Sequence, residues 1–112
     1  MAILVASDVT LSTAANAKTA DLITGRNQYI GKGRIVLLAK GSAAGMNCTL
    51  NVGGVAIVDD QKIPYFGTTG TLDSVANVVV DQVVAGGRIE FFLRNTTGGA
   101  LTTDYLVYFT PM

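Results

Sequence analysis

The chain is predicted to be all-β: a single antiparallel β-sandwich, jelly-roll-like, with an extended N-terminal arm. Three observations predict this. Apolar and polar residues alternate with period two along much of the sequence, the mark of strands with one buried face. Gly-rich breaks recur at Gly41-Ser-Ala-Ala-Gly45, Gly67-Thr-Thr-Gly70, Gly86-Gly87 and Asn95-Thr-Thr-Gly-Gly99. They divide the chain into roughly seven to nine strands at the spacing of sandwich folds. Only Thr13–Asp21 has helical composition, and at about two turns it reads equally well as an extended arm.

The elements follow in order. Ala2–Ala6, Val9–Thr13, Leu22–Thr24 and Gln28–Ile30 are short strand candidates, so residues 1–33 are expected to form an arm and first strands that reach a neighbouring copy. Residues 34–112 are expected to form the sandwich body. Arg34–Lys40 is continuously apolar between basic ends, as in a strand covered on both faces. Met46, Cys48, Leu50 and Val52 alternate with Asn47, Thr49 and Asn51, giving one apolar face and one amide-hydroxyl face. Gly53-Gly54 supplies the positive φ of a two-residue hairpin, and Val55–Val58 runs back. Val75–Val84 is largely β-branched, with Asp81 marking a kink, bulge or edge. In Arg88–Arg94 the inward set is Ile89, Phe91 and Leu93, and in Asp104–Thr110 it is Tyr105, Val107 and Phe109. Pro111 ends the last ladder.

At 112 residues the chain is one domain, large enough to bury about 65% of its unfolded surface. Charged residues make up only 14%, eight of each sign, and mean hydropathy is +0.43. Nothing in that balance keeps like copies apart. It also excludes a disordered chain, a coiled coil and a strongly basic nucleic-acid binder. The first forty residues hold five cations against two carboxylates, and the remainder has the opposite imbalance. Such asymmetry suits head-to-tail docking.

Chemistry-bearing residues are scarce. There is no His and no Trp, and Cys48 is the only cysteine, so an intrachain disulfide is impossible. With no base available, Cys48 on an apolar strand face is expected to be a core residue and not a nucleophile. Asp59-Asp60 lacks the further oxygen ligands a cation loop needs and is expected at a solvated hairpin end. Gly31-Lys32-Gly33-Arg34 lacks the spacing and hydroxyl of a phosphate loop and is expected to be a turn. Glu90, the sole Glu, is expected to pair across strands or at an interface. Asn47-Cys-Thr and Asn95-Thr-Thr fit a glycosylation pattern, but the short apolar start lacks a basic leader and points to synthesis and maturation in the cytoplasm. No apolar run is long enough to span a membrane. No catalytic residue, cofactor or metal is expected. Lys18, Arg26, Lys32, Arg34 and Lys40 form the best nucleic-acid or intersubunit group, weak in one copy and additive over many. Phe92, Leu106 and Tyr108 fall on outward positions where a solvated sheet would carry Lys or Glu, and are the candidate intersubunit face.

A resemblance supports the same direction. Thr49-Leu-Asn-Val-Gly-Gly-Val-Ala-Ile-Val-Asp-Asp60 and Gly87-Arg-Ile-Glu-Phe-Phe-Leu-Arg-Asn-Thr-Thr-Gly-Gly-Ala-Leu-Thr-Thr-Asp-Tyr-Leu-Val-Tyr-Phe-Thr-Pro111 resemble small β-sandwich structural proteins of bacterial virus particles: capsid, decoration, and vertex or fibre proteins. The resemblance is one of style over the last two-thirds of the chain and carries no catalytic residues. It implies a homo-oligomer, a trimer or higher ring, packed with other virion proteins into or onto a shell. The modest basic content departs from shell proteins with strongly basic genome-binding arms. The expected function is therefore a virion structural subunit, made in the host cytoplasm. The alternatives are a carbohydrate- or ligand-binding β-sandwich module, for which aromatic platforms are few, and an extracellular fibre subunit.

Overall fold

The computed structural model describes residues 3–23, 28–65 and 77–112. They form eight strands: β1 (Ile3–Thr13), β2 (Tyr29–Ile30), β3 (Gly33–Gly41), β4 (Met46–Val52), β5 (Val55–Lys62), β6 (Val78–Val84), β7 (Gly87–Asn95) and β8 (Leu101–Pro111). One sheet has the order β1-β8-β3-β6, and the other β2-β7-β4-β5. All pairings are antiparallel. The partnerships β1·β8, β2·β7, β3·β6 and β4·β5 are those of one long hairpin. Rolling that hairpin up adds β3·β8 and β4·β7, which is the jelly-roll arrangement of a two-sheet sandwich.

Period-two patterning sets the core. Met46, Cys48, Leu50 and Val52 of β4 and Ile89, Phe91 and Leu93 of β7 are buried against Ile35 and Leu37 of β3 and Tyr105, Val107 and Phe109 of β8. The Phe91 and Tyr105 rings meet across the sandwich at 5.2 Å and 58°, the tilted geometry that aromatic quadrupoles favour. β3 is buried along nearly its whole length, as its continuous apolar run requires. The Gly53-Gly54 turn has φ of +61° and +82°, the doubly positive geometry that matches strand twist in a tight hairpin.

Several expectations are refined. The two runs at the N-terminus are one strand, β1, interrupted by irregularities between Leu4 and Ala6 and between Asp8 and Leu11. It pairs with β8 of its own chain, and within the first 33 residues the described strands β1 and β2 each join one of the two sheets. Residues 14–23 contain no helix. After a turn at Ala15–Asn16 the main chain runs beside β7 from Ala17 to Leu22, with Asn95 N–H donating to Ala17 O (2.9 Å), Thr19 N–H to Leu93 O (2.8 Å) and Leu22 N–H to Phe91 O (2.8 Å). An unpaired β7 edge claims the segment more strongly than a two-turn helix would. Asp59-Asp60 lies within β5 at a register irregularity and not at a hairpin end. The expected break at Gly67–Gly70, the start of the Val75–Val84 run, and Thr24 lie outside the described residues.

Candidate functional site

The outer face of the second sheet carries the densest polar cluster. Parity on β7 turns Phe92 and Arg94 outward, and Thr49 opposes Phe92 across β4. The irregularity in β5 puts Asp60 at φ +53°, a left-handed conformation that Asp tolerates better than most residues. Asp60 N–H donates to Thr49 Oγ1 (3.0 Å), and Arg94 Nε donates to Asp60 Oδ1 (2.8 Å) while its second nitrogen holds Oδ2. This forked pair holds the Asp60 carboxyl below its ordinary 3.8, helped by a hydrogen bond from Asn47 and by the nearby Lys18 charge. Lys18 Nζ lies 4.8 Å from the Phe92 ring centroid, within range of a cation–π contact. Together these residues line a recess of about 280 Å³. Cys48 borders it but is 1% exposed, and burial, with the Asp60 charge adding, pushes its thiol up to about 12. A thiol so protonated is inert as a nucleophile at neutral pH. Every strong charge in the recess except Asp59 is already matched by a neighbour, so its chemistry is that of a surface clasp.

The first sheet has a different exterior. Arg34 grips Asp81 through two hydrogen bonds of 2.6 Å between β3 and β6. Lys40 and Asp104, opposite one another on β3 and β8, form a buried ion pair at 3.9 Å. Between these pairs Val36 and Leu38 are buried and Leu106 and Tyr108 half-buried. Towards the sheet's outer strands Leu4 is 54% and Val83 52% exposed.

The sequence-derived groups are therefore scattered. Lys40 is 5% exposed, so it is no contact for nucleic acid; the register that sets it against Asp104 was invisible in sequence. Arg34 is engaged by Asp81, Lys18 lies over Phe92 on the opposite sheet, Lys32 is exposed, and Arg26 lies outside the described residues. The four described cations form no single patch. Phe92, Leu106 and Tyr108 all point outward, but Phe92 belongs to one outer face and Leu106 and Tyr108 to the other.

Two polar residues to which the sequence analysis gave no bonding role organise the main chain. Asp21 Oδ1 accepts from Ile23 N–H (3.0 Å) and Phe91 N–H (3.1 Å), pinning the N-terminal segment to β7, and Arg88 stands 3.6 Å from its other oxygen. Asn95, fully buried, donates to Thr13 O (3.1 Å) and Gly99 O (2.7 Å) and accepts from Thr97 N–H (2.9 Å) and its hydroxyl (2.7 Å). An Asp two residues before a buried Ile, and an Asn opening a Thr-Thr-Gly-Gly turn, are recognisable side-chain-to-backbone turn signals.

Other recesses are apolar. One of about 750 Å³ is lined by Met46, Ile63, Pro64 and Tyr65 at the Asn95 end of the sandwich. One of about 320 Å³ lies between β5 and β6, walled by Val52, Val55, Ile57, Val83 and Val84. Among the described residues no three His, Cys, Asp or Glu side chains cluster as metal ligands, and no helix is long and apolar enough to cross a membrane. Compared with known proteins, the chain matches no family model, and no curated protein or solved structure matches it significantly.

Proposed function

We propose that this chain is a virion structural protein, a subunit that assembles with copies of itself into or onto a viral capsid. The observation that carries the reading is its exterior. Among the described residues, eight charged side chains are engaged in four intrachain ion pairs: Arg34–Asp81, Lys40–Asp104, Arg88–Asp21 and Arg94–Asp60. A surface already poor in charge thus has three of these pairs neutralised from within, the Lys40–Asp104 pair being buried, while Leu4, Tyr29, Val55, Tyr65 and Val83 are more than half exposed. Apolar exposure beside so little free charge favours burial by identical neighbours. The jelly roll suits the role, being a rigid sandwich recurrent in shell proteins. With Arg34 and Lys40 engaged, any contact with nucleic acid falls to few cations and is weak.

Light scattering from micromolar to millimolar concentration tests the proposal. Assemblies that grow with concentration and appear as closed shells or rings by electron microscopy support it; a monomer throughout overturns it. A fibre subunit is the second reading, favoured by the opposite charge imbalance of the first forty residues and the remainder, which suits head-to-tail contact, and a head-to-tail link that does not close makes a filament. Helical polymers in the same micrographs would select it. A carbohydrate-binding module is less well supported. The Phe92 face is taken by Lys18, and Tyr29 and Tyr65 stand towards opposite ends of the second sheet, leaving no shared aromatic platform among these three.

A further inference from the structure

We infer that two copies of this chain pair about a two-fold axis through the free edge of β6, with Gln82 of each copy facing its counterpart and the first sheet running on from one copy into the other. The inference rests on the self-assembly reading and names one of its contacts.

Strands β5 and β6 end the two sheets on the same side of the sandwich, where they wall one apolar cleft, but their edges differ. On β5, Asp59, Asp60 and Lys62 are exposed and two register irregularities break the ladder, features that discourage edge pairing. On β6 the ladder with β3 is regular over Val80–Val84, and its other side has no partner strand among the described residues. Asp81 is the one charged residue of this stretch, and Arg34 of the same chain already grips both its oxygens. A β-branched edge with balanced charge and outward N–H and C=O groups templates a further strand.

The edge fits its own copy. Val80 and Val84 are buried in the core, so Gln82 shares their face, while Asp81 and Val83 share the outer face with Val36 and Arg34 opposite them. A strand that continues the sheet must set inner residues opposite inner ones, so a two-fold has to centre on a residue and not between two. Centring on Asp81 would set carboxylate against carboxylate. Centring on Gln82, the middle of the regular stretch, pairs all five residues. Val80 then lies opposite Val84 of the second copy and Asp81 opposite its Val83. The two Gln82 amides meet, and each can donate to the other and accept from it. Apolar surface is covered by the same approach. The cleft of about 320 Å³ opens on this side, with Val55 62% and Val83 52% exposed at its walls. Two copies joined at β6 bring their clefts together and shield both residues. The molecule is 40 Å long and 21–25 Å across, so a side of it offers about the 800 Å² that a standard interface takes from each partner.

Disulfide trapping with Gln82→Cys tests the pairing, and Gln61→Cys, exposed on the guarded β5 edge, is the control. The native Cys48 is buried and does not compete. Under oxidised glutathione, Gln82→Cys alone should form crosslinked dimer about tenfold faster than Gln61→Cys, because the two-fold holds identical positions together at high effective concentration. A rate for Gln82→Cys no greater than for Gln61→Cys, while the unmodified chain assembles by light scattering, overturns the inference and leaves the structural role standing. An unmodified chain that is monomeric at every concentration overturns both.

Discussion

Replacing Asn95 by Ala probes the joint that closes one end of the sandwich. The side chain ties the end of β7 to Thr13 at the end of β1 and to the 96–99 turn, through four hydrogen bonds of 2.7–3.1 Å. Alanine leaves the carbonyls of Thr13 and Gly99 and the N–H of Thr97 without that partner. An orphaned buried group costs about 1–3 kcal/mol, and an exposed one less because water replaces the partner. Thr97 and Gly99 lie in a turn that water reaches, while the bond to Thr13 O is buried. The expected loss is therefore about 3 kcal/mol. An unfolding entropy of about 2.1 cal/mol/K per residue makes each kcal/mol worth roughly 4 °C in a chain of this size, so Tm should fall by about 12 °C. Asn95→Asp should do no better than Ala at neutral pH. It keeps the acceptor facing Thr97 but loses both donors and sets a carboxylate against two carbonyls. The assay is thermal unfolding by circular dichroism at one low protein concentration, since binding between copies would raise the apparent stability. A fall of less than about 2 °C for Asn95→Ala would refute the argument that this side chain holds the joint.

Two further predictions concern local chemistry. The Asp60 and Asp81 carboxyls, held low by Arg94 and Arg34, should titrate below 3.8 by NMR. A carboxyl with a depressed native pKa contributes stability above its unfolded value, and loses it as pH falls through the native one. The contribution of both pairs should thus be intact at neutral pH and disappear only in acid below the ordinary carboxylate range. In Arg94→Gln the Asp60 value should return towards 3.8 while Asp81 stays low; an unmoved Asp60 would show that Arg94 is not the cause. Among the glycines, Gly54→Ala meets open space at φ +82°, whereas at Gly86, φ +106°, a Cβ would lie 2.7–2.9 Å from the main chain of Ile30 and Gly31. The first should cost about 1–2 kcal/mol from the left-handed backbone alone. The second should cost clearly more, because main-chain atoms must move. Equal losses in urea unfolding would contradict the packing argument.

Asn95 and Gly86 hold the fold within one chain, whereas Val55 and Val83 are more than half exposed and add little to it. Changes at the exposed pair should therefore alter association and leave the unfolding of the single chain nearly unchanged.

Much of the fold was legible because strand parity is local. A residue's side of a sheet follows from its neighbours two positions away, so the inward sets of β4, β7 and β8 could be read directly. The Gly53-Gly54 hairpin was legible for a similar reason, since only glycine takes two positive φ angles without strain. The burial of Cys48 followed from the same alternation. What could not be read was everything set by pairing between distant segments. Lys40 looks like a surface cation until the register places Asp104 beside it, 64 positions along the chain. Asp59-Asp60 looks like a hairpin end until its pairing with β4 shows an irregularity that aims Asp60 at Arg94. The pairing of β1 with β8, and of Ala17–Leu22 with β7, is likewise invisible, because nothing local says which edges those segments fill. The sequence by itself determined which faces are apolar and where the chain turns, because both depend on near neighbours. Tertiary structure alone decided which charges cancel and which strands lie side by side, because both depend on contacts between residues far apart in sequence.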